Sequence, residues 1–245
     1  MRNTAWSKWN QLEKELYPGR VYCPLSLVSG SLLFKQALLQ GDLEGLQDAV
    51  EKRACPYVCA PPAHVAPYTS PVLLALWLGH RDEIVDFLLE HEPRQPLRPT
   101  LIREFSVFCG EAPLSSIQRM VEFFGDELVA PAVNVTPQMT PLQALHYACF
   151  RGDVKVIRYL VKHQADWTVS ATYKAVTPLH VLRVRDQGHA LAVCLDVMLR
   201  DRPDVWLATD KEGRTALSHV LSEAPLQMRN YCIQQWVAPH GSSSR

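Results

Sequence analysis

Apolar residues recur along this chain at three- and four-residue intervals, the spacing that gathers side chains on one face of a helix. Ile84, Val85, Leu88 and Leu89 form one such stripe, and Val154, Ile157, Leu160 and Val161 form another. Ahead of each stripe lies a shorter run dense in small and aliphatic residues. VLLALWL at 72–78 is the clearest, and it closes on Gly79, a residue suited to the left-handed end of a helix. No segment carries the alternating polarity of a strand. The pattern predicts an all-α fold built from helix pairs, each a short first helix, a glycine turn and an amphipathic second helix.

The pairs repeat. Leu179-His180 follow Leu145-His146 by 34 positions, and Ala75 precedes Gly79 by the same four residues that separate Ala148 from Gly152 and Ala37 from Gly41. A divergent copy at 101–129 keeps that spacing with Ser106 and Gly110, though it lengthens between its helices, and 210–236 closes a series of about six units. One helix pair cannot cover both of its apolar faces, so neighbouring units stack into a solenoid with a continuous core. Ahead of the array, Trp6, Trp9, Leu12 and Leu16 fall at helical spacing before Pro18-Gly19. This gives three expected parts: an N-terminal capping segment with an amphipathic helix at 1–30, the array at 31–237, and a short polar tail at 238–245. The terminal units are expected to be divergent caps.

Composition narrows the function. With 47% hydrophobic and 20% charged residues, the 245-residue chain has ample material for a core. Lys plus Arg equals Asp plus Glu at 25 each, without a basic cluster, so nucleic acid is not the expected partner. The run at 72–78 is too short to cross a bilayer, and the first residues lack the apolar core of a secretory signal. A soluble cytoplasmic protein, with the nucleus as a second location, is expected. The seven scattered cysteines fit buried thiols in a reducing compartment rather than a disulfide framework. Phosphate-cradling loops, zinc-protease helices and serine-hydrolase elbows are missing. Cys55, Cys59 and His64 approach zinc spacing but lack a fourth ligand, and prolines at 56, 61, 62 and 67 point to an extended loop. His146 and Cys149 raise the same question without converging ligands. Ser218 and His219 are adjacent in a helix and so diverge. Neither an enzyme nor a cofactor is expected.

The repeat resembles the ankyrin family. The fourth unit, quoted over residues 145–167, holds the best copy, with Leu145-His146, Ala148, Gly152, Leu160 and Ala165-Asp166; the fifth keeps Thr177-Pro178-Leu179-His180, and the sixth keeps Gly213, Thr215 and Leu217. The threonine of T-P-L-H caps the helix start, the proline fits the first turn, and the imidazole can bond backbone groups of neighbouring turns. There are departures from the family pattern: Thr140-Pro141 lies three residues early, and Arg185 to Gly188 stand where a glycine turn belongs. The resemblance implies noncovalent binding of a protein or peptide on a concave face built by the first helices and the preceding hairpin tips. The two positions before each glycine project onto that face: Leu39-Gln40, Trp77-Leu78, Phe108-Cys109 and Phe150-Arg151, then Val184-Arg185 and Ser222-Glu223 by alignment. Expected contacts are therefore Leu39, Trp77, Leu78, Phe108, Phe150, Arg151 and Arg185, extended by Tyr68 and Tyr173 at hairpin tips. The competing expectation is that each aromatic tucks into the core. A peptide with large apolar anchors and a carboxylate at one end fits such a strip. A second resemblance lies in QMRNYCIQQW, where Met228, Cys232 and Trp236 match the spacing of the elongin-binding box of ubiquitin-ligase adaptors. Leucine is usual at the first position, and the cullin-contacting part is not completed.

Overall fold

The computed structural model describes residues 28–51, 70–91, 99–130, 142–171, 174–183, 202–226, 229, 230 and 233. The chain divides into two compact units, Met1–Leu88 and Leu89–Arg245. Among the described residues the regular elements are helices, joined by turns that include two isolated antiparallel bridges, Ala171 to Val176 and Thr209 to Thr215.

In the first unit, α1 (Val28–Gln40) packs against α2 (Leu43–Glu51) and α3 (Pro71–Leu78), and α4 (Asp82–His91) follows. The helix starts are set locally. Ser70 accepts the Leu73 N–H at 3.5 Å with Pro71 in the first turn of α3, and Asp42 accepts the Gly45 N–H at 3.1 Å at the start of α2. Gly79, at φ +72°, stops α3 by donating its N–H back to the carbonyls of Ala75 and Leu76. Phe34, Leu46, Leu73, Leu74 and all four residues of the Ile84, Val85, Leu88, Leu89 stripe are buried. His80 ties the two pairs together. Its Nε2–H donates to the Leu38 carbonyl at 2.6 Å, and its ring covers Gly41 so closely that a Cβ there would lie 3.0 Å from Nδ1.

The second unit contains α5 (Pro99–Phe108), α6 (Leu114–Phe124), a 3-10 turn (Asp126–Leu128), α7 (Ala144–Arg151), α8 (Val154–Lys162), a second 3-10 turn (Pro178–Val181), α9 (Pro203–Leu207) and α10 (Ala216–Glu223). The centre is α7, which packs on α5, on α8 and on the second 3-10 turn; that turn packs in addition on α10. Val154, Ile157 and Leu160 are buried as the spacing requires, together with Val156, while Val161 is half-buried. Two histidines link successive units in one register. His146 Nδ1 accepts the Gln143 N–H at 3.2 Å, and its Nε2–H donates to the Val176 carbonyl at 3.1 Å. His180 Nδ1 accepts the Thr177 N–H at 3.1 Å, and its Nε2–H donates to the Arg214 carbonyl at 3.2 Å. In both cases the acceptor belongs to the residue before the next unit's threonine. The same carbonyl closes that unit's turn, through Ala171 N–H in one and Asp210 N–H in the other.

The fifth unit departs from the expected first helix. Its start is a single 3-10 turn, after which Leu182 is extended and the Arg183 N–H donates to the Cys149 carbonyl at 3.0 Å. The carbonyl of Cys149 lies in the last turn of α7, where it accepts the Gly152 N–H at 3.0 Å as well as that of Arg183. The close approach needs Gly152. A Cβ at that position would fall well inside van der Waals contact of the Arg183 carbonyl oxygen, and its φ of +76° is itself a glycine conformation.

Candidate partner-binding surface

Exposed apolar side chains sit at the ends of the first helices. In the first unit α3 is buried from Pro71 to Ala75, yet Trp77 on its last turn is 46% exposed and Leu78 beside it is exposed as well. Leu39 is exposed in the corresponding place on α1, which packs on α3.

In the second unit Phe150 occupies this position on α7 and is 48% exposed. The guanidinium of Arg183 lies over its ring, with Cζ 3.9 Å from the centroid. Arg151, expected to present charge to a partner, is directed elsewhere. Its Nη1 donates to the Ala112 carbonyl at 2.6 Å and its Nη2 stands 3.6 Å from Asp153, whose carboxylate caps α8 through the N–H groups of Lys155 and Val156. Arg151 thus pins α7 to the turn after α5.

Phe108 corrects the sequence reading. It is fully buried, with 0% of its surface exposed, and Cys109 is buried beside it. Gly110 is not among the glycines with positive φ, and instead of a left-handed stop the turn carries on for five residues, with the N–H groups of Glu111 and Ala112 returning to the Phe108 carbonyl. Phe108 therefore lies in the core, out of a partner's reach. Gly110 is small for another reason, since a Cβ there would lie 3.3 Å from Tyr147 Cβ on α7. Tyr68, Tyr173 and Arg185 lie outside the described residues, as do the Cys55, Cys59, His64 group, the Trp6 to Leu16 stripe and the Met228, Cys232, Trp236 box. Sequence reasoning missed Arg183. One period from Cys149, it aligns with a buried position, yet after the extended Leu182 its side chain lies over Phe150.

The ankyrin repeat family profile matches residues 143–172, the segment that holds α7, α8 and the start of the following turn. Residues 143–172 thus form an ankyrin repeat. No curated protein matches it.

Polar chemistry around the repeat turns serves the backbone. Burial pushes the His146 imidazole down to about 4, and burial with the neighbouring His219 lowers His180; both rings are held neutral, with the proton on the nitrogen that bonds the next unit. Asp210 is a buried carboxylate. Burial alone would raise its pKa, but hydrogen bonds from His219 Nε2 at 3.0 Å, the Arg214 N–H at 2.9 Å and the Arg214 guanidinium hold it well below the usual carboxylate range. Ser218 and His219 serve different partners: the Ser218 hydroxyl donates to the Thr215 carbonyl at 2.7 Å, while His219 faces Asp210. Burial also pushes the Cys109 thiol far up, so it stays protonated. Among the described residues, no group of three or more His, Cys, Asp or Glu is placed to hold a metal, and no helix is long and apolar enough to cross a membrane.

Proposed function

We propose that this chain is a non-enzymatic recognition module that binds a protein or peptide through the exposed ends of its first helices, the side expected from the sequence to be concave. Ankyrin repeats are in general protein–protein interaction modules. The observation that carries the reading is the contrast within α3, where five consecutive buried residues are followed by exposed Trp77 and Leu78. Leu39 and Phe150 stand exposed at the matching place on α1 and α7. Large apolar groups held in water by rigid helices cost little ordering entropy when a partner covers them, which favours their use as anchors.

The test is quantitative affinity capture from cells, comparing wild type with a Trp77→Glu, Phe150→Glu double variant whose circular dichroism matches wild type. Loss of a defined set of proteins supports the reading, and an unchanged set contradicts it. Capture of elongin and cullin subunits by both forms would instead identify the chain as a ligase adaptor acting through the 228–236 box.

A further inference from the structure

The face of the second unit carries a charge that no carboxylate balances among the described residues. Arg151 and Asp153 neutralise each other at 3.6 Å, and each is further occupied, the first by the Ala112 carbonyl and the second by the start of α8. Arg183 differs. Among the described residues no carboxylate pairs with it, and its side chain is held by the face of Phe150 alone, 3.9 Å from Cζ to the ring centroid. Stacking uses the flat face of the guanidinium and leaves the N–H groups along its edge able to donate in the plane, the geometry that matches a carboxylate through two parallel hydrogen bonds. The stack also fixes the fork before any ligand arrives, so less side-chain entropy is lost on binding. Beside it lies the uncovered part of an aromatic ring that is 48% exposed.

We infer that the Phe150–Arg183 pair is a subsite for an Asp or Glu side chain lying next to a large apolar residue in an extended peptide segment of the partner. The apolar residue covers the open part of the Phe150 ring while the carboxylate takes the edge of Arg183. One guanidinium balances one carboxylate charge, whereas a doubly charged phosphate would remain half-neutralised, so the pair favours an acidic over a phosphorylated residue. The inference rests on the partner-binding reading above and adds to it the chemistry of the ligand.

The probe is a random-sequence peptide library displayed on phage and panned on the full chain, in parallel with Arg183→Gln and Arg183→Glu forms. Both substitutions keep the backbone N–H that bonds Cys149, and circular dichroism checks that the fold is retained. Peptides enriched on wild type are expected to carry Asp or Glu within a few positions of Trp, Phe or Leu. Single synthetic peptides should bind Arg183→Gln about fivefold more weakly, the upper range for an exposed pair of good geometry. Arg183→Glu should instead enrich Lys or Arg in the acidic position. Enrichment of apolar residues without an acidic preference, or equal binding by wild type and Arg183→Glu, overturns the subsite while leaving partner binding in place. A library from which wild type enriches nothing overturns both.

Discussion

Gly152→Ala probes the contact that sets the fifth unit apart. The perturbation adds one methyl group, with two separate consequences. A left-handed backbone, here φ +76° and ψ 23°, costs a residue with a Cβ about 1–2 kcal/mol. The methyl also collides with the Arg183 carbonyl oxygen, a main-chain atom that cannot rotate away. Relief requires the strand to lift, which breaks the Arg183 N–H to Cys149 carbonyl bond, about 0.5–1.5 kcal/mol. The total is about 1.5–3.5 kcal/mol. Gly79→Ala is the matched control: its backbone is nearly the same, at φ +72° and ψ 34°, but nothing lies within 4 Å of an added Cβ, so only the conformational cost of about 1–2 kcal/mol applies. Because repeat arrays can open in parts, amide hydrogen exchange is a better assay than a single unfolding midpoint. The Arg183 amide should exchange at least about fivefold faster in Gly152→Ala and at the wild-type rate in Gly79→Ala. If Gly152→Ala costs no more than Gly79→Ala and leaves Arg183 protected, the docked strand is not held as described.

Other expectations follow from the same contacts. Phe108→Ala should destabilise the chain by about 3–5 kcal/mol, as for a core aromatic, and Phe150→Ala by about 1 kcal/mol or less, read from urea unfolding. Stability should fall as the pH drops from the ordinary histidine range near 6.5 towards 4, because the unfolded chain takes up a proton at His146 that the folded chain refuses. The loss is about 3 kcal/mol by pH 4, His180 adds to it in the same direction, and His146→Gln should show a flatter profile in unfolding measured at successive pH values. His80→Ala should destabilise the first unit by about 1–2 kcal/mol, seen as faster amide exchange in α1, through loss of the bond to the Leu38 carbonyl.

Helix periodicity and the glycine spacing made the helix pairs legible before any coordinates. The Ile84 to Leu89 stripe is buried throughout, and the T-P-L-H histidine does bond neighbouring turns. These features are legible because each follows from a few adjacent residues. Where Thr140-Pro141 lay too early, Gln143 stands at the helix start in place of threonine, and its backbone N–H still reaches His146. What escaped the sequence depended on contacts between units. Phe108 shares its spacing with Trp77 and Phe150 but is buried, and the turn after α5 runs five residues against three after α3. Arg151 looked like surface charge because nothing in the sequence shows the Ala112 carbonyl near it, and Arg183 looked buried because the period assumes a helix where Leu182 is extended.

The most direct test of partner binding places a photo-crosslinking amino acid at 77 or 150 in the intact protein within cells, with position 158 on the exposed side of α8 as reference. The account predicts that irradiation at 77 and at 150 each yields discrete protein adducts and that 158 yields none. Adducts formed from 158 with none from 77 or 150 would contradict it.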